Sequence, residues 1–239
     1  MKGFSFIELL IAMAITLLLA GAVAGVAQPA RAAFARVPAE LEMQQRGRIA
    51  IDTLSQALRA SLRIPDAAGI VTELTVIVAA GSGRGVLSVD QPGPGGPLTL
   101  GTEHCPNIKD LCGFTSGATA MIEDGDSYEV FSIAATSAST RRITSSRALA
   151  RSYSSGSTVA EVDQLTFQLV EQPDGSYSLI RETAAGAIQP VADSVGNLFF
   201  DVTPRSVDVW IDVKPSAESL HPLLIGRTFH TSIKLRNAS

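Results

Sequence analysis

The chain has 239 residues, of which 46% are hydrophobic and 18% charged, with a net charge of −4 and a pI near 5.4. That size and balance suit one globular domain with an appendage, and they exclude a disordered chain and a general polyanion binder. Aromatic residues at 5%, with one Trp, leave few platforms for stacking bases or sugars, and three His with two Cys are too few for a multi-metal protein.

The first thirty residues carry the strongest signal. After Met1-Lys2-Gly3 come 23 residues, 4–26, in which Glu8 is the only charge. As a helix they span roughly 35 Å, enough to cross a bilayer core. Lys2 holds the amino end on the cytoplasmic side, so the bulk of the chain faces out. Glu8 does not suit a plain anchor, because an acid within a span costs about 2.5–3.5 kcal/mol on insertion scales. Either it snorkels to the interface or it has a partner. A secretory signal has an uncharged core before its small-residue cleavage site; here Ala30-Arg31-Ala32 is a weak version of such a site, and Glu8 breaks the core.

Lys2-Gly3-Phe4-Ser5-Phe6-Ile7-Glu8-Leu9-Leu10 closely resembles the class III signal of type IV pilins and type II secretion pseudopilins. That signal is a basic residue, Gly, then Phe, with Glu four residues beyond, opening a long apolar helix. The resemblance implies cleavage by a prepilin peptidase between Gly3 and Phe4, N-methylation of Phe4, and retention of the apolar segment in a helical filament. It also implies that Glu8 meets the new amino group of Phe4 in a neighbouring subunit. Such a pair gains little over its desolvation, yet stranding one partner is severely destabilising, so it acts as a register device.

Residues 31–63 carry six Arg against three acids. Ile51, Leu54, Leu58 and Leu62 recur at spacings of three, four and four, with Ala50 and Ala57 beside them, which defines one helical face. Pro29 and Pro38 are expected to kink or interrupt this helix, Gly47 to weaken it, and Pro65 to mark its end. The amphipathic half is expected to pack on a sheet, since the sustained heptads of a coiled coil are missing.

Beyond Pro65 the period changes to two. Residues 207–213, 229–235 and 165–169 alternate cleanly and read as half-buried strands of an antiparallel sheet with one wet face. Residues 74–78, 86–89, 128–133, 158–162, 177–181 and 198–202 are further strand candidates, and Pro173-Asp174-Gly175 signals a hairpin turn. Gln-Pro-Gly-Pro-Gly-Gly-Pro at 91–97 must be an exposed loop. The fold expected is therefore α+β and pilin-like: a leader at 1–3, an apolar transmembrane and assembly helix at 4–27, its amphipathic continuation at 28–65, and an antiparallel β head at 66–239.

Within the superfamily, the helix phrase from Gln45 to Arg59 resembles the PilW and GspJ groups of minor components, and the ending from Phe229 to Asn237 resembles that of PilW. The stretch from Phe114 to Val170 shares the PilW rhythm, with Tyr153 and Gly156 ahead of the strand from Leu165.

Cys105 and Cys112 enclose six residues in a head expected outside the cytoplasm, where a disulfide forms; free thiols and a metal site with His104 are the alternatives, and further metal ligands at sensible spacing are missing. Arg141, Arg142, Arg147 and Arg151 fill a stretch without acids, but residues 64–239 sum to −7, so a solvated hairpin is preferred to nucleic-acid contact. Glu123-Asp124-Gly125-Asp126 lacks the ligand series of a calcium loop and reads as an acidic turn. Gly81-Ser82-Gly83-Arg84-Gly85 lacks a phosphate-loop ending and reads as a hairpin loop. No nucleophile elbow is present, and His104, His221 and His230 lie in unrelated contexts, so no catalytic residue, metal or cofactor is expected.

The function expected is that of a non-enzymatic minor pilin of a type IV pilus, held in the inner membrane with its carboxyl end outside and then assembled into the priming or tip complex. Its partners would be other minor and major pilins, the prepilin peptidase and methyltransferase, the inner-membrane assembly platform, and membrane lipid before assembly; no small-molecule substrate is expected. The alternatives are a GspJ-like pseudopilin of a type II secretion system, a membrane-anchored adhesin using the loops at 91–113 and 135–156, and a secreted enzyme cleaved near Ala32.

Overall fold

In the computed structural model, which describes residues 6–65, 68–102, 108–125, 127–215 and 226–235 (backbone alone for 28–29, 32–33, 35–36 and 108–110), the chain begins with one helix, α1 (Phe6–Ala60). At 1.5 Å per residue it is about 80 Å long. It runs through Pro29 and Pro38 as a single element, so neither proline interrupts it. At Pro38 the surroundings are open: Pro38 and Phe34, the residue whose carbonyl loses its N–H partner, are both exposed.

The helix ends earlier than Pro65. Ser61 Oγ donates to Leu58 O at 2.7 Å, satisfying one of the last carbonyls, and the backbone then becomes strand β1 (Ser61–Arg63). The head thus starts at Ser61. After β2 (Gly69–Val71) comes β3 (Leu74–Val86), which contains the whole glycine-rich stretch 81–85. That stretch is no hairpin loop: β3 continues through it with a register shift between Ala79 and Arg84 against its neighbour. The expected strand at 86–89 reduces to the last residue of β3 and one bridge, Leu87 to Leu100. The remaining elements are β4 (Leu98–Thr99), a 3-10 helix (Ile108–Gly113), β5 (Thr119–Asp124), β6 (Ser127–Ser137), β7 (Arg142–Ser145), β8 (Thr158–Glu171), β9 (Tyr177–Thr183), β10 (Ile188–Ala192), β11 (Val195–Val202), β12 (Ser206–Val213) and β13 (Arg227–Lys234).

These strands form two antiparallel sheets, not the single sheet expected. Among the described residues the larger runs β1-β3-β8-β5-β6-β7-β4, with β9 also paired to β8 and β10 to β9. The smaller runs β13-β12-β11-β2. β8 pairs with β3 along one side, while on the other it meets β5 at residues 158–161 and β9 at residues 165–171. One strand therefore serves two cores. In the first, Met43, Ala50, Leu54 and Leu58 of α1 pack against Leu74, Val76 and Phe167 of the larger sheet and Phe200, Val207, Val209 and Ile211 of the smaller. The second contains no residue of α1; it is built on Phe131, Ile133, Ile122 and Val159 and closed by Leu111, Cys112 and Phe114. The far face of the larger sheet is not wholly wet either, because Ile77, Met121 and Val162 are buried there with Leu62 packed against them.

The turns follow their chemistry. At 172–176 the Gly175 N–H donates to Gln172 O, and Asp174 accepts from both the hydroxyl and the N–H of Ser176. Those two donors hold the Asp174 carboxyl below the usual carboxylate range. The 91–97 segment is a loop, as composition requires, but Gln91 is buried within it. Its amide donates to Gly96 O at 2.8 Å and accepts from Tyr153 N–H at 3.3 Å.

Candidate assembly surface

Among the described residues, the apolar start of α1 is not buried against the rest of the chain. Phe6–Ala27 has a mean hydropathy of 2.5, none of it is buried, and it is long and apolar enough to cross a membrane. Glu8 lies exposed in its first turn, where the positive end of the helix dipole favours an acid. Apolar exposure does not stop where the membrane-length segment stops. Phe34 is 80% exposed, and Val37 and Leu41 follow it at spacings of three and four, an exposed stripe along the next two turns. A bilayer core of about 30 Å covers some 20 residues of helix, so these side chains need a different cover.

Two turns further the same helix is buried in the head. Ala50, Leu54, Ala57 and Leu58 face the core, as their spacing requires, with Ile51 half-buried beside them. Gly47 is there for closeness: a Cβ on it would stand 2.2 Å from a ring carbon of Phe229 of β13. The glycine thus lets an aromatic of the last strand approach the helix closely. Sequence reasoning saw only its cost to helix propensity.

Gly3 and Phe4 lie outside the described residues, as do Cys105, His104, Asp126 and His221. Cys112 is described and buried, within a run of left-handed backbone at Leu111 (φ 43°), Cys112 (φ 59°) and Gly113 (φ 82°). In the acidic turn, Glu123 pairs with Arg63, which also donates to Gly125 O at 3.1 Å. Arg141 and Arg142 sit at the tip of the β6–β7 hairpin, while Arg147 donates to Val130 O at 3.3 Å and Arg151 lies 4.8 Å from the centre of the Tyr153 ring. Burial raises the Tyr153 hydroxyl above its usual value, although the hydrogen bond from Arg151 pulls the other way.

Sequence reasoning missed Glu161. It is 5% exposed and its Oε1 accepts from Thr115 N–H at 2.6 Å, just past the left-handed run. The glycines of β3 explain how it fits, since a Cβ on Gly83 would stand 2.7 Å from its Cγ. The signal was available: an acid inside an alternating strand, with a Gly-x-Gly-x-Gly pattern in another. His230 is exposed but not idle, stacking on Trp210 at 4.7 Å between ring centres with Asp208 Oδ1 3.6 Å from its Nε2.

Residues 1–24 match the family described as the prokaryotic N-terminal methylation motif. With one apolar N-terminal helix followed by antiparallel sheets, the fold is α+β and consistent with a pilin, and the motif supports a type IV pilin-like or pseudopilin protein anchored in a membrane. No curated protein and no solved structure matches the chain.

Proposed function

We propose that this chain is a non-enzymatic minor pilin of the PilW type, cleaved between Gly3 and Phe4, methylated at Phe4, and assembled through α1 into the priming or tip complex of a type IV pilus. The observation that carries this is the division of α1: an apolar segment with Glu8 in its first turn, an exposed stripe at Phe34, Val37 and Leu41, and only then the docked half. An anchor needs cover from lipid alone, whereas this stripe continues past a bilayer's reach and suits neighbouring helices. Before assembly the protein sits in the inner membrane with its head outside. In that compartment Cys105 and Cys112 form a disulfide, a reading supported by the burial of Cys112 and the absence of a free cysteine among the described residues.

The mass of the mature N-terminus tests the assignment. The expected product begins at a methylated Phe4. An intact Met1 would make the chain a simple anchor, and a start beyond residue 30 would make it a secreted protein; either result defeats the proposal.

A further inference from the structure

No described strand or helix covers the outer face of the smaller sheet. Its strands alternate, so the register fixes which side chains stand together. Phe199, Trp210 and His230 form one row across β11, β12 and β13; Asp201, Asp208 and Ser232 form the next, with Ile70 of β2 beside Asp201. Ile70 is 75% exposed and Phe199 39%. Asp201 and Asp208 are direct cross-strand partners, both half-buried, and like charges so placed destabilise a sheet. Among the described residues neither has a Lys or Arg within ion-pair distance; the contact present is His230 with Asp208. Lys234 stands on the same face one row away, opposite Ser206.

We propose that this face docks an arginine-bearing segment of a neighbouring protein chain, the guanidinium lying on the Phe199 ring and donating to the carboxylates of Asp201 and Asp208. Charge complementarity selects the occupant. Two opposed carboxylates beside an exposed aromatic ring match a planar cation with several donors, which can pair and stack at once. The opposed aspartates lower the stability of the free head, and a bound cation removes that conflict. The proposal goes beyond the pilin reading and does not depend on N-terminal processing.

Trp210 is the only tryptophan in the chain, so its emission reports on this face. Detergent-solubilised full-length protein is titrated with a short peptide carrying two adjacent arginines, and with the same peptide carrying glutamines in their place. The expected result is a saturable emission change with the arginine peptide and none with the glutamine peptide. Asp201→Asn and Asp208→Asn should each weaken binding about fivefold, while the thermal midpoint holds or rises. Equal binding of the glutamine peptide, unchanged affinity in both variants, or a fall in their thermal midpoint would each overturn the proposal.

Discussion

From Phe6 to Val26 every side chain of α1 is exposed, whereas between Met43 and Leu58 one face of the same helix is closed over by both sheets. The second half has the apolar–polar period of a helix that packs within its own chain. The first half is apolar all round, as a helix must be when lipid or other helices surround it. Burial within one chain therefore says little about which half matters more: the docked half holds the head, and the exposed half finds no cover among the described residues.

The largest effect should come from the exposed half. Glu8→Leu removes a membrane-insertion cost of about 2.5–3.5 kcal/mol, so a purely interfacial Glu8 would leave a better anchor. If Glu8 neutralises the Phe4 amino group of a neighbour, the same change strands that charge at about 3–5 kcal/mol, roughly a thousandfold in association. The expected variant is inserted and cleaved, yet co-purifies poorly with partner pilins. Normal co-purification and piliation would reduce Glu8 to a tolerated charge.

An identical substitution in each half sharpens the contrast. Leu54→Ala, at a fully buried position, should cost the head about 2–5 kcal/mol in denaturant unfolding, whereas Leu18→Ala, in the exposed segment, should leave that transition in place. Equal losses would mean that the exposed half also supports the head.

At the seam, Gly47→Ala tests closeness against propensity. Alanine gains about 1 kcal/mol as a helix former, but its methyl meets the Phe229 ring, and overpacking costs about 1–3 kcal/mol. A net loss of about 1 kcal/mol is expected, turning to a gain in a Phe229→Leu background. Stabilisation in the wild-type background would show that the ring moves aside freely.

The smallest effect lies far from the helix, at Asp174. Its folded pKa is depressed by Ser176, so the stability it adds is present above its unfolded pKa and lost as pH falls through the folded one. Asp174→Asn should therefore be slightly less stable than wild type at pH 7, with the gap closing on acidification. A gap that stays constant with pH would remove the carboxylate from the account.

Strands with one buried face were legible in the sequence, such as β12, where valine and isoleucine alternate with aspartate and tryptophan. β5 was not, because Ala120, Met121 and Ile122 are all buried, on opposite faces of a sheet with apolar residues on both, and no alternation survives. The glycines of β3 misled in the opposite way: they accommodate Glu161, a contact from another strand that local pattern cannot show. The N-terminal part of the candidate assembly surface was plain from one charge in an apolar run. The row at Phe199, Trp210 and His230 was hidden, since it exists only once three strands are in register.

The pairing of β2 with β11 sets an order of events in time. Val71 waits for Phe200, about 130 residues later in the chain, and the smaller sheet is completed only by β13 near the carboxyl end. Contacts this distant in sequence make for slow closure, and the outer edge of β12 stays open until the last strand arrives. A newly made chain thus passes through an interval in which that strand edge is open to pairing. Refolding of the head should accordingly be sensitive to deletion of β13 far beyond the loss of eight residues.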